Sequence, residues 1–225
     1  MENRSTEDYI KGIYSLAGSG RAVTTTELAR HLKIGSGSVT DMLKKLAAMR
    51  LIEYRPYRGA SMTRTGEQLA LRILRRHRLW EMFLARFLGY RWEEIHDEAE
   101  RLEHVTSDEL ERRLDRALAY PKADPHGHPI PDALGLMIEP EGRALAESQP
   151  GDCVEVLSVS DSDAGLLQHA TEIGLKLGIR LAVKKTMAFD GSMVLKIAGK
   201  ERVVSSKFAR NIFVRKIHEF GRRKK

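Results

Sequence analysis

Residues 24 to 63 confine the fold of this chain more than any other stretch. Thr24-Thr25-Thr26-Glu27 is a capping-box signature, opening a helix through Leu28, Ala29 and Leu32. Ile34-Gly35-Ser36-Gly37 interrupts it, because two glycines make continuation of the same helix costly. A further helix then carries Val39, Leu43 and Leu46 on one face. Leu51-Ile52-Glu53-Tyr54, a basic glycine-containing turn and Ala60-Ser61-Met62-Thr63 read as a β-hairpin. Upstream, Ile10, Ile13, Tyr14 and Ala17 form the apolar stripe of an opening helix over residues 6–17. Two short helices joined tightly and followed by a hairpin are a winged helix-turn-helix.

The face of the reading helix left outward by that stripe offers Ser36, Ser38, Thr40, Asp41, Lys44 and Lys45, while Arg55 and Arg58 flank Tyr57 at the wing tip. Small hydroxyls permit close approach to base edges, and the cations suit phosphates or the minor groove. Charge agrees: residues 1–75 hold 13 Lys and Arg against 7 Asp and Glu. Double-stranded DNA is the partner this predicts; the alternative is a helix-turn-helix kept only for protein contacts.

Residues 93–116 invert that balance, with 10 acidic residues against 4 arginines. A long helix from Thr65 to about Leu88 carries His77 and Glu81 four apart, hence on one face. A second helix from Trp92 is predicted to carry His96, Glu100, Glu103 and His104, three or four of them on one flank, with His77 and Glu103 expected among solvated carboxylates. Imidazole with carboxylate is the donor set of Mn²⁺, Fe²⁺, Co²⁺ and Zn²⁺ sites. A third helix from about Ser107 follows, then a proline-pinned loop, residues 121–131, with further donors. Two readings stand: a metal site, or helices with merely solvated acidic faces. A metal enzyme with an appended DNA-binding domain has little behind it. Glu93-x-x-His96 is the lone Glu-x-x-His of this region where a di-iron bundle needs two, and His-Glu-x-x-His is absent.

The remainder is predicted to open with a helix from Glu139 to Pro150. A strand at residues 152–159, a helix around Asp163–Leu175, and strands on either side of Asp190-Gly191, a type I′ hairpin signal, follow. Several short strands in about 70 residues suit an SH3-like barrel. The last 26 residues hold 10 Lys and Arg against 2 Glu, ending in a basic tail. The single cysteine, Cys153, excludes an intrachain disulfide and a cysteine-caged zinc. No run approaches 18 apolar residues, and the polar start is unlike a secretion signal, so a cytoplasmic protein without a membrane partner is expected. The fold class is mainly α with small β. Its domains are 1–72, winged helix-turn-helix; 73–138, helical metal-binding and dimerisation; and 139–225, SH3-like with the basic tail.

This order of parts resembles the diphtheria-toxin-repressor family of metal-dependent transcriptional regulators. The resemblance is carried by residues 75–81 (Arg75-Arg76-His77-Arg78-Leu79-Trp80-Glu81) and 95–104, by Thr6-Glu7-Asp8-Tyr9-Ile10, and by Gly127-His128-Pro129-Ile130-Pro131. It implies a non-enzymatic repressor, a homodimer without a small-molecule substrate, binding a palindromic operator when a divalent metal is bound. By position, His77, Glu81 and His96 match primary-site ligands. Glu100, Glu103 and His104, with Asp8, match those of the other site. Three-domain members complete their second site with residues that correspond to Asp124, His126 and Asp161, Asp163 competing for the last role. Iron-responsive members place Met and Cys at the positions of Asp8 and Glu100, whereas manganese-responsive members are acidic there, as here. Mn²⁺ is the implied effector and Fe²⁺ the alternative, with Co²⁺, Zn²⁺ or Cd²⁺ able to substitute in vitro. The chain departs from the shorter manganese regulators at Lys11, where those place an acidic ligand.

Overall fold

A computed structural model describes residues 2–18, 20–138 and 140–217, so the basic tail from His218 onward lies outside the described residues. The chain divides into two compact units. One comprises the residues through Trp80, with Ala99–Ala119 and Ile130–Met137. The other comprises Glu81–Glu98, Tyr120–Pro129 and the chain from Ile138.

In the first unit, α1 (Glu2–Ala17), α2 (Thr25–Leu32) and α3 (Ser36–Ala48) precede the antiparallel hairpin β1 (Ile52–Arg55) and β2 (Gly59–Met62). The capping box at Thr24 forms as predicted: its Oγ1 accepts from the Glu27 amide while Glu27 accepts from the Thr24 amide. The turn into α3 differs in detail. Lys33 takes the left-handed conformation at φ 56°, and Gly35 is the N-cap, so Ser36 and Gly37 already belong to α3. Glycine is among the residues favoured at an N-cap, so Gly35 can open α3. Ile10, Ile13, Leu28, Val39, Leu43, Leu46 and Ile52 pack into one buried cluster, each contributing about 1.5–3 kcal/mol by leaving water.

The long helix α4 runs from Arg64 to Phe87. Thr63 starts it, accepting from the Gly66 amide and donating to the Leu51 carbonyl. The predicted helix from Trp92 is shorter than its donor spacing suggested. α5 spans Ile95–Leu102, and Glu103–Val105 tighten into a 3-10 turn, so Glu103 and His104 leave the α-helical register. Ser107 caps α6 (Asp108–Ala117). Arg75 holds α6 against α4, donating to Glu111, Asp115 and the Pro131 carbonyl at 2.6–2.9 Å.

In the second unit no helix forms across residues 140–150. Arg143–Ala144 is the short strand β3 and Leu145–Glu147 a 3-10 turn; Glu139 lies outside the described residues. Pro140, Gly142 and Pro150 are poor helix residues, and β3 finds its hydrogen bonds on β8 instead. There follow β4 (Cys153–Val159), α7 (Ala164–Glu172), β5 (Arg180–Thr186), β6 (Met193–Ile197), β7 (Lys200–Val204), α8 (Ser206–Arg210) and β8 (Ile212–Ile217). They form a six-stranded antiparallel sheet in the order β3-β8-β4-β5-β6-β7. Asp190-Gly191 lies between paired antiparallel strands, β5 and β6, as expected, but in a loop longer than two residues, where Asp190 accepts from the Ser192 amide and hydroxyl. Ala198-Gly199, with φ 47° and 84°, makes the tight turn between β6 and β7; both positive φ values are those of type I′. Among the described residues no helix is long and apolar enough to cross a membrane.

Candidate metal centres and nucleic-acid interface

The first unit gathers four carboxylates around His104. Its Nδ1 lies 2.6 Å from Glu7 Oε2, and its Nε2 lies 2.9 Å from Asp8 Oδ1 and 3.4 Å from Glu103 Oε1. Asp8, Glu100, Glu103 and His104 each present a ligating atom within 4.8 Å of the others. Glu103, only 1% exposed, also accepts at Oε2 from His77 Nδ1, 2.5 Å away. Lys11 Nζ donates to Glu100 Oε1 at 2.6 Å and to Glu103 Oε1 at 2.7 Å. Burial alone would lower the His104 pKa, but Asp8, Glu7 and Glu103 outweigh it and raise the pKa. A neutral His104 donating to Glu7 turns its Nε2 lone pair towards the oxygens of Asp8 and Glu103. Acceptors converging on one point require a cation there, a proton or a metal.

The second unit holds a comparable arrangement. Glu81 is fully buried; His96 Nδ1 lies 3.5 Å from its Oε1 and 3.8 Å from Asp161 Oδ2. His126, also fully buried, places Nε2 3.1 Å from the Trp92 carbonyl, which fixes the ring proton there. Its Nδ1 has no hydrogen-bond partner and faces Glu81 Oε1 at 3.8 Å. A buried lone pair facing a carboxylate fits a cation between them, and the N/O donor set fits a first-row divalent metal. Desolvation would lower the His126 pKa, yet Glu81, Asp124 and Asp161 raise it. Asp124 accepts from the amides of His126 and His128, locking the loop, and its Oδ2 lies 3.1 Å from His128 Nδ1. Gly127 is required in this loop: at φ +89° an added Cβ would come within 2.1 Å of the Leu157 carbonyl oxygen.

These groupings correct several expectations. His96 and Glu100, though four apart, join different clusters, so the acidic segment does not turn one flank to one ion. Asp161 and His126 stand with Glu81 and His96, not with the Asp8 set. Asp163 instead caps α7, accepting from the Gly165 amide at 3.0 Å. His77 and Glu103 are buried, not set among solvated carboxylates, because the ion-paired cluster closes over them. Sequence reasoning missed Glu7 and His128. Glu7 shares a helix face with Lys11 at i+4, and His128 sits in the donor-rich loop.

Most of the residues expected to meet DNA are exposed. Ser36, Ser38, Lys44, Lys45, Arg55 and Arg58 are exposed, and Tyr57 stands free at the wing tip. Thr40 is half-buried and donates its hydroxyl proton to the Ser36 carbonyl.

A winged helix-turn-helix followed by carboxylate–imidazole clusters defines a metal-responsive DNA-binding protein. The iron dependent repressor N-terminal DNA binding domain matches residues 1–60, and that family's metal binding and dimerisation domain matches residues 63–132. A FeoA domain matches residues 143–216. The iron-dependent repressor IdeR of Mycobacterium leprae is 31% identical over 212 residues, covering 88% of this chain and 91% of the relative. The diphtheria toxin repressor of Corynebacterium glutamicum is 31% identical over 189 residues, covering 80% and 83%. A solved manganese-dependent transcriptional repressor in complex with manganese superposes at TM-score 0.89 with 36% identity, covering 94% of this chain and all of the other. ScaR with bound Zn²⁺ gives 0.81 and 36%, covering 94% and 99%. The chain belongs to the diphtheria-toxin-repressor family of metal-dependent transcriptional repressors. It is a DNA-binding regulator with a dimerisation domain, not an enzyme.

Proposed function

We propose that this chain is a cytoplasmic, homodimeric repressor that binds a palindromic operator when Mn²⁺ is bound, built from domains 1–72, 73–138 and 139–225. One ion is held by Asp8, Glu100, Glu103 and His104. A second is held by Glu81, His96 and Asp161, with Asp124 and His126 supporting it from the loop. The reading rests chiefly on the donor chemistry. Glu100 and Asp8 are oxygen donors, and neither cluster offers sulfur. Hard oxygen ligands forgo the soft-donor gain that later metals draw from thiolate or thioether, which favours Mn²⁺ relatively. When bound, the metal supplies positive charge that draws together carboxylates which otherwise repel one another. Asp8 lies on α1, whose Ile10 and Ile13 are buried in the reading-head core. Fixing Asp8 therefore biases the head towards one orientation, a coupling of about 1–3 kcal/mol. Ser36, Ser38 and Thr40 then read base edges, while Lys44, Lys45, Arg55 and Arg58 meet phosphates.

Fe²⁺ is the second reading, supported by the iron-dependent relatives at 31% identity and by an N/O donor set that Fe²⁺ also accepts. Operator binding titrated anaerobically with Mn²⁺, Fe²⁺, Co²⁺, Zn²⁺ and Cd²⁺, on wild type and on Glu100→Cys with Asp8→Met, decides between them. Donor softness predicts that the double variant moves its activation midpoint away from Mn²⁺ and towards the later metals. An unchanged ratio of Mn²⁺ to Fe²⁺ midpoints refutes the manganese argument.

A further inference from the structure

Lys11 follows Asp8 by three residues on α1, so the two lie on neighbouring positions of one helix face. Its ammonium contacts one oxygen of Glu100 and one of Glu103, at 2.6 and 2.7 Å, with its side chain 18% exposed. Those carboxylates are two of the four groups assigned above to a metal ion. The protein's own cation therefore occupies oxygens that the incoming ion would use. Lys11 thus pairs with Glu100 and Glu103, while His104 takes Glu7 and Asp8.

The neighbouring residue ties α1 to the reading head. A Cβ added at Gly12 would come within 3.2 Å of His31 Cδ2 and 3.3 Å of Leu28 and Leu32 side-chain carbons, all on α2. The two helices thus pack at a separation that favours glycine, and the fully buried Ile10 and Ile13 lock α1 into the same core. Whatever restrains α1 restrains α2 with it.

We propose that Lys11 is a resident cation of the regulatory cluster, which holds α1 to the Glu100–Glu103 segment without metal and contests those carboxylates when metal arrives. The inference rests on the reading of this cluster as a metal site. Lys11 is then a positioning residue with two opposed effects. Removing its charge takes a cation away from Glu100 and Glu103, loosening α1 from that segment in the metal-free protein. The same change leaves the site more negative and its oxygens uncontested, so a divalent ion binds more tightly. A lysine serving only the fold has one sign: its loss weakens both the metal-free structure and metal binding.

The test uses full-length wild type, Lys11→Met, Lys11→Gln and the charge-keeping Lys11→Arg. Free Mn²⁺ is followed by electron paramagnetic resonance, and amide hydrogen exchange across α1 is measured with chelator and with Mn²⁺. Lys11→Met and Lys11→Gln are expected to bind the cluster ion at least tenfold more tightly. Their α1 exchange with chelator should be at least tenfold faster, returning to the wild-type rate with Mn²⁺. Lys11→Arg should stay within about threefold of wild type on both counts. Unchanged or weaker Mn²⁺ binding in the neutral variants overturns the proposal, as does unchanged α1 exchange with chelator. Failure of the underlying reading looks different: Glu103→Gln would then remove no Mn²⁺ from the wild-type stoichiometry.

Discussion

Glu103→Gln removes the charge of the most shielded carboxylate in the first unit while keeping its shape. The carboxylate is 1% exposed and makes two charge-assisted contacts, 2.5 Å to His77 Nδ1 and 2.7 Å to Lys11 Nζ. Such hydrogen bonds contribute about 1.5–3 kcal/mol each, and the amide oxygen can keep one of them in weakened form. Lys11 also retains Glu100 and some solvent, which places the loss below that of a wholly buried broken pair, about 3–5 kcal/mol. About 3 kcal/mol is expected for the metal-free protein, a fall of about 6–12 °C in the melting temperature of a chain this long. Mn²⁺ at a hundred times its dissociation constant should add about 2.7 kcal/mol to the wild type for each site filled. The variant should lose that increment for the cluster ion and with it metal-dependent operator binding. Thermal melts with chelator and with Mn²⁺, paired with fluorescence anisotropy on operator DNA, measure both quantities. A variant that melts with wild type under chelator, or shows the full wild-type metal increment, refutes the reasoning.

Two more outcomes follow from the same geometry. Lys44→Ala and Arg58→Ala, both exposed, should weaken binding to every DNA sequence alike and lower the slope of log K against log salt by about 0.9 each; salt titrations that leave the slope intact contradict the docking. Proton competition gives the pH dependence: His104 and His126 have raised pKa values in the folded, metal-free protein. Their stabilisation is full below the unfolded value, about 6.5, and is lost as pH rises through the folded values. The chelated protein should therefore gain stability from this source on acidification from pH 8 to pH 6, while Mn²⁺ affinity rises in the opposite direction. An affinity that is flat across that interval excludes these two imidazoles as ligands.

Much of the reading head was legible from residues alone. The capping box, the glycine-bearing turn, the apolar spacing of Val39, Leu43 and Leu46 and the basic hairpin are each local, and each acts within a few residues of itself. The donor inventory was legible too, since residue type settles which atoms are hard and which are soft. Less was visible where local signals compete. Asp190-Gly191 carries a two-residue hairpin signature, and β5 and β6 do pair across it, but the register Thr186↔Met193 leaves a longer loop between them; the two-residue turn belongs to the next hairpin, at Ala198-Gly199. The segment before β4 reads as a helix, but it meets β8 and the sheet takes its backbone groups.

For the candidate sites the division is sharper. Spacing by itself determined that His77 and Glu81 share a face of α4 and that the acidic stretch is helical. It said nothing of which donors meet. His96 and Glu100 are one turn apart yet stand in different clusters, because each meets donors carried by other segments of the chain. Asp8 reaches His104 across 96 residues of sequence, and Lys11 reaches Glu103 across 92. Helical periodicity fixes neighbours within a turn through backbone hydrogen bonds alone. Contacts between distant segments depend on which apolar faces bury together, and that choice belongs to the tertiary structure, which alone set a lysine among the carboxylates.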